Sequence, residues 1–281
     1  MTSAQLSNNY SDGMIDLLKI AQTSKRYNLH SHTQFCDGRA PMAEFVPKAI
    51  DAGFSDYGFS PHSPIPFESP CNMTKIDVPT YIEEVQRLKT EYAGKIRLYA
   101  SMEIDYLNSE WGPSNEYFDT LPLDYRIGSV HFVPCDDFHI DTDGNFESFK
   151  EKMSEFFDND IYMVVSAFYD QTIRMIEAGG FNIIGHFDKI GLNASYFQPG
   201  IEQEKWYGKR VKEVIDAIMD THLIAEINTK SLAQHKRFFP HERYFRLMKH
   251  YGMPVVINSD AHQPELIESG RQEAIDIYNL L

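Results

Sequence analysis

Seven short apolar runs recur along this chain of 281 residues, separated by longer amphipathic or polar stretches. They lie at Tyr27 to Leu29, Tyr57 to Phe59, Ile96 to Met102, Tyr125 to Val130, Asn182 to Ile184, Leu223 to Ile227 and Pro254 to Ile257. Short runs of this kind read as strands. Apolar residues at helical spacing occupy Met42 to Ala52, Thr80 to Tyr92, Phe146 to Phe157, Ile161 to Ala178, Glu202 to Asp220, Glu242 to Tyr251 and Pro264 to Leu281. The rhythm predicts about seven βα units, each strand followed by a helix, and favours a closed α/β barrel over an open doubly wound sheet. No Pro/Gly/Ser linker or low-complexity tract divides the chain, so 1–281 is expected to be a single domain, with 1–25 as an N-terminal extension.

The side chains just beyond each run matter most for function. After the strands come, in order, His30 and His32, then His62, Glu103, His131, His186, Asn228 with Lys230, and Asp260 with His262. A barrel gathers the C-terminal ends of its strands on one face, so these residues are expected to converge on one polar mouth. A single H-x-H pair carries little weight, since 11 histidines in this length give about 0.4 matches by chance. The combination carries much more. Residues two apart in an extended segment point the same way, so His30 with His32, and Asp260 with His262, are each expected to address one ion. Imidazole and carboxylate suit Zn, Mn or Fe, and the two oxygens of Glu103 suit a bridge between neighbouring cations. Asp37 precedes Gly38, a common turn pair, but lies close enough to the first His pair to fold back as a further ligand. His139, His222, His235, His241 and His250 fall away from strand ends and are read as noncatalytic.

The charge balance of -15 excludes some partners. It offers no extended basic face for nucleic acid or an anionic membrane. A small phosphorylated substrate remains compatible, because bound cations reverse the field locally. No run approaches the roughly 18 apolar residues of a membrane span, and no signal peptide is visible, so a cytoplasmic location is expected. Cys36, Cys71 and Cys135 show no C-x-x-C spacing and are read as reduced thiols.

The chain resembles the PHP (polymerase and histidinol phosphatase) superfamily, and most closely its histidinol-phosphatase branch. The resemblance rests on NLHSHTQFCDG from Asn28 to Gly38, SPHSPIP from Ser60 to Pro66, Glu103, GSVHFV from Gly128 to Val133, IGHFD from Ile184 to Asp188 and NSDAH from Asn258 to His262. It implies a distorted, TIM-like (β/α)7 barrel carrying three divalent cations at the C-terminal ends of its strands. By resemblance, His30, His32, Glu103 and Asp260 hold one ion; Glu103, His131 and His186 a second; Asp37, His62 and His262 a third. Glu103, His131, Asp260 and His262 would be central to catalysis. Two features depart from the family pattern: Asp37 stands where many histidinol phosphatases have His, and no Arg closely follows Asn228-Thr229.

The implied activity is hydrolysis of a phosphomonoester, foremost L-histidinol phosphate in histidine biosynthesis, by metal-bound hydroxide, since coordination brings the pKa of water from 15.7 to about 7. A loop cation would orient the phosphate; Arg237 is preferred for its planar guanidinium, with Lys230, Lys236 and Arg39 as the other candidates. Another small phosphomonoester or a nucleotide is the alternative substrate. A binuclear amidohydrolase acting on C–N bonds would need fewer ions than this ligand set provides.

Overall fold

The computed structural model describes residues 15–23 and 26–281. Of the expected extension, residues 1–14 and 24–25 lie outside the described residues. Residues within it form a helix, α1 (Leu17–Thr23), that the apolar spacing did not suggest. The strands are β1 (Tyr27–Asn28), β2 (Asp56–Phe59), β3 (Arg97–Asp105), β4 (Tyr125–Ser129), β5 (Phe132–Cys135), β6 (Phe138–Asp141), β7 (Ile183–Ile184), β8 (Ile224–Asn228) and β9 (Val255–Asn258). Seven of them form one all-parallel sheet in the order β1-β2-β3-β4-β7-β8-β9 and coincide with the seven apolar runs.

The sheet is nearly closed. Ser31 bridges Ala261, and the His32 amide donates to the Ala261 carbonyl at 2.8 Å. Further links across the seam use side chains. Asn258 Oδ1 accepts from the Leu29 amide at 2.9 Å, Asn28 Oδ1 accepts from the Ser259 amide at 3.0 Å, and the Tyr27 hydroxyl accepts from the Ile257 amide at 2.9 Å. Replacing ladder bonds by amide and hydroxyl groups satisfies the backbone while letting the barrel depart from regular closure.

The barrel interior holds Leu29, Tyr125, Ile127, Ile183, Ile224 and Val256, and Leu17 and Ile20 of α1 join this cluster. Helices α2 (Met42–Asp51) and α3 (Val78–Glu91) cover β2 and β3 through Phe45, Val46, Tyr81 and Val85. The larger outer layer is built by α5 (Phe146–Phe156), α6 (Ile161–Ala178), α8 (Lys205–Met219), α10 (Phe245–His250) and α11 (Arg271–Leu280). Short helices α4 (Glu116–Asp119), α7 (Gly191–Phe197) and α9 (Leu232–His235) complete the chain. Among the described residues no helix is long and apolar enough to cross a membrane.

The one-strand, one-helix rhythm fails in two places. Only α4 follows β3, because the connection through Gly112 and Pro113 is held as a loop by Asn108 and Asn115. After β4 comes an antiparallel hairpin, β5–β6, whose turn puts Asp136 at φ 50°. Three expected helices are also interrupted. The segment 202–220 starts as a 3-10 turn at Ile201–Gln203, with extended Glu204 before α8. The segment 242–251 starts as a 3-10 turn at Glu242–Tyr244. The segment 264–281 divides into a turn at Pro264–Leu266 and α11 around Gly270, at φ 69°. Gly270 permits the third of these breaks, and apolar spacing alone registers none of them.

Gly58 shows how tightly the interior is filled. A methyl group on it would collide with the Tyr125 hydroxyl and crowd the Leu29 backbone. Gly58→Ala is expected to destabilise the fold by about 1–3 kcal/mol through overpacking. A urea transition with a lower midpoint and unchanged slope is the corresponding result.

Candidate metal centre

Strand ends deliver the side chains that the sequence singled out. His30 and His32 follow β1, His62 follows β2, Glu103 lies near the end of β3, His131 follows β4, His186 follows β7, and Asp260 and His262 follow β9. All are buried or nearly so, including His30, His32 and Glu103 at 1% exposure or less. Asp37 arrives differently. A turn folds residues 34–37 back over the mouth, and Gly38 lets it close, since a Cβ there would overlap the Thr33 backbone.

The ligand atoms form three groups. In the first, His30 Nε2 and His32 Nε2 are 3.3 Å apart, they lie 3.3 and 3.4 Å from Glu103 Oε2, and Asp260 Oδ1 is 3.0 Å from His32 Nε2. In the second, Glu103 Oε1 sits 2.7 Å from His186 Nε2 and 3.6 Å from His131 Nε2, with 3.3 Å between the imidazoles. In the third, Asp37 lies 3.2 Å from His262 Nε2 and 3.9 Å from His62 Nε2, and His32 Nδ1 is 3.3 Å from Asp37 Oδ1. Bonds of about 2.1 Å to a tetrahedral ion set ligand atoms about 3.4 Å apart. The observed separations scatter around that spacing.

The donors also fit a cation in their unused capacity. Glu103 Oε2, Asp260 Oδ1, Asp37 Oδ1 and His62 Nδ1 are buried and make no hydrogen bond. His62 Nδ1 is 3.1 Å from Glu103 Oε2 without the required alignment. Leaving several such groups unpaired in one pocket is costly, and cations at these groups would use the lone pairs of the three carboxylate oxygens. Without it, imidazoles must carry the balancing charge. Burial lowers the His30 pKa, yet Glu226, Glu103 and Asp260 together hold it up at about 10. Burial likewise opposes His131, which Asp105 and Glu103 raise to about 9. Crowded among these neighbours, His62 is pushed down by burial to about 3.

Two carboxylates that the sequence reading missed orient the imidazoles. Glu226 Oε1 accepts from His30 Nδ1 at 2.7 Å, and Asp105 Oδ1 accepts from His131 Nδ1 at 2.7 Å. Each contact turns the opposite ring nitrogen into the mouth. Strand alternation held the signal: Asp105 is two residues beyond Glu103 on β3, and Glu226 is two before Asn228 on β8. Asp105 also lies within a grouping with His62 and His131, but it is already engaged by His131 and by Asn72 Nδ2 at 3.1 Å.

Asp260 and His262 converge by another route than strand alternation. Asp260 has φ 49°, in the left-handed region, so the expectation of an extended D-x-H segment is corrected. Its carboxylate is held by Asn228 Nδ2 at 3.1 Å. A residue kept at such a φ marks a place where the surrounding structure fixes the geometry. Among the described residues, none of His139, His222, His235, His241 and His250 joins a candidate ligand group. The three cysteines are free thiols, with Cys36 Sγ 3.4 Å from His32 Nδ1.

The mouth opens into a cavity of about 860 Å³ lined by Asp37, His62, His131, Asp260 and His262 and, among cations, by Arg39 and Lys230. Lys230 Nζ is 3.1 Å from His262 Nε2. The preference for Arg237 as phosphate cation is corrected. Its guanidinium is buried in a bidentate pair with Glu202 at 2.8 and 2.9 Å and bonds Asp188 at 2.9 Å. Tyr169 and Tyr207 donate to the same Asp188, so this fork is spent on internal carboxylates. Lys236 is exposed in a left-handed turn and does not line the cavity.

The comparisons with known proteins agree with this architecture. The chain is 27% identical over 251 residues to a histidinol-phosphatase from Bacillus subtilis, spanning 83% of this chain and 92% of that one. A solved structure from Listeria monocytogenes, assigned as a histidinol phosphatase, superposes with a TM-score of 0.80 at 20% identity, covering 88% of this chain and 99% of the other. The histidinol phosphate phosphatase of Lactococcus lactis, solved with Zn, L-histidinol and phosphate, superposes with a TM-score of 0.66 at 18% identity, covering 91% and 93%. The PHP domain family model matches residues 28–230, from the strand that precedes the first histidine pair to the loop that carries Lys230, and the chain belongs to the PHP domain family.

Proposed function

We propose that this chain, acting as one domain in the cytoplasm, is a metal-dependent phosphomonoesterase that hydrolyses L-histidinol phosphate to L-histidinol and phosphate. The observation that carries the reading is the set of buried, unpartnered carboxylate oxygens on Glu103, Asp260 and Asp37, each within 3.0 to 3.4 Å of a His32 ring nitrogen in the mouth. The substrate choice is supported by the relatives named histidinol-phosphatase and by the L-histidinol and phosphate held in the Lactococcus lactis structure.

Nine side chains supply ten coordination roles, with Glu103 used twice. His30, His32, Glu103 and Asp260 would hold one ion, Glu103, His131 and His186 a second, and Asp37, His62 and His262 a third. Zn, Mn and Fe all suit this donor set, and the zinc of the Lactococcus lactis structure favours the first. Divalent cations in these positions supply Lewis acidity toward phosphate oxygens and lower the pKa of water.

The chain's own residues do the rest. Glu226 and Asp105 fix the faces of His30 and His131, so the centre needs little rearrangement during reaction. Glu103 turns one oxygen toward each of two groups and keeps its charge, because the surrounding imidazoles outweigh the effect of burial. Lys230 and Arg39 line the cavity and would offset phosphate charge at its rim. The bulky interior below the mouth closes the site to bulk water from the barrel side.

Phosphate release from L-histidinol phosphate, sugar phosphates and nucleotides, alongside elemental analysis, tests this reading. At least a tenfold preference in kcat/KM for L-histidinol phosphate and about three ions per chain are expected. A tenfold preference for another ester overturns the substrate, and two ions with C–N hydrolysis overturns the reaction class. Glu103→Ala should lose bound metal and at least about a hundredfold in phosphate release while its circular dichroism stays native. Glu226→Gln and Asp105→Asn keep every ligand but loosen ring orientation. Each is expected to weaken metal affinity or activity by about 10–100-fold, and wild-type values in both would contradict the orienting role.

A further inference from the structure

Lys189 is a buried cation beside the ligand cluster that neither coordinates nor orients a ligand. It is only 8% exposed, and lysine is rarely buried unless paired. Among the described residues its one ion-pair partner is Asp143, with Nζ 3.3 Å from Oδ2, so three ammonium protons face a single long contact. The ammonium also lies over the Phe239 ring, with Nζ 5.1 Å from its centroid, and the Arg237 guanidinium sits 5.3 Å from the same ring.

Its location is more telling than its burial. The Lys189 amide bonds the carbonyl of His186 at 2.8 Å, which puts the residue on the loop that carries the second ligand group. Asp143, its partner, lines the cavity. Burial works against the charge of Lys189, but Asp143, Asp260 and Glu103 outweigh it and keep the ammonium protonated. Lys230 lies on another side of the ligand cluster, beside His262 and Asp260. Lys230 thus lines the cavity itself, Lys189 reaches its edge through Asp143, and the buried ammonium is the less screened. A single ion pair of this geometry adds little to stability by itself, so the pairing of Lys189 with a cavity-lining carboxylate calls for another role.

We propose that Lys189 is a phosphate-binding residue, held by Asp143 while the cavity is empty and turning to donate to the oxygens of an entering phosphoryl group. The inference rests on the phosphomonoesterase reading and takes the place that sequence reasoning gave to Arg237. Asp143 is a competitor for the ammonium and also repels phosphate, so the two members of the pair have opposite effects on anion binding.

That opposition is what a purely structural salt bridge does not produce. Inorganic phosphate is titrated calorimetrically into metal-loaded wild type, Lys189→Met and Asp143→Asn, with the metal content of each measured. Lys189→Met is expected to bind phosphate at least tenfold more weakly with its metal content unchanged, and Asp143→Asn to bind it as tightly as wild type or more tightly. Wild-type affinity in Lys189→Met overturns the inference, as does an equal loss in both variants or a loss of metal from Lys189→Met. In each of those outcomes wild type still binds phosphate, so the phosphomonoesterase reading survives. A wild type that neither binds phosphate nor releases it from esters overturns both.

Discussion

Everything in the mouth of this barrel depends on the Glu103 carboxylate, buried to 1% exposure with imidazoles on both sides. One oxygen faces His30, His32 and His62, and the other faces His131 and His186. A carboxylate removed from water needs positive charge or hydrogen bonds to remain ionised. Only Oε1 has hydrogen-bond partners, from Ser129 at 2.7 Å and His186 at 2.7 Å. Oε2 has none, although three imidazoles crowd it. That imbalance is a poor hydrogen-bond network and a good coordination shell.

The fold exists in a form that can impose this crowding. Parallel strands joined by crossovers end on the same face, and a sheet nearly closed on itself turns a row of ends into a ring. Side chains at the β1–β9 seam serve both ends at once: Asn258 accepts from Leu29 and donates to Glu226, which in turn holds His30. Closure of the barrel and orientation of a ligand are therefore one network, and loosening the seam would disturb the mouth. The neighbouring Arg237–Glu202–Asp188 fork fixes the adjoining loops to α6 and α8 through Tyr169 and Tyr207, without entering the cavity.

The strands and most ligands were legible because they depend on local pattern. Apolar runs located all seven barrel strands, and a ligand type after nearly every run suggested one mouth. Resemblance then supplied the grouping, which spacing alone leaves open. What stayed hidden depends on direction in space. Arg237 has the right chemistry for phosphate and points at Glu202, a partner 35 residues away that no local pattern indicates. Asp260 and His262 meet through a left-handed backbone instead of an extended one, a choice made by the packing around them. The β5–β6 hairpin was absorbed into a βα rhythm because short strands with mixed burial resemble a loop. Asp105 and Glu226 were recoverable from alternation, whereas nothing in the sequence marked Lys189 as buried.

Anomalous diffraction from crystals of the protein as purified reads the central claim atom by atom. Three peaks are expected: one among His30, His32, Glu103 and Asp260, a second between Glu103, His131 and His186, and a third at Asp37, His62 and His262. A map without peaks, in which Glu103 Oε2 and Asp260 Oδ1 are satisfied by protonated imidazoles or ordered water, would contradict it.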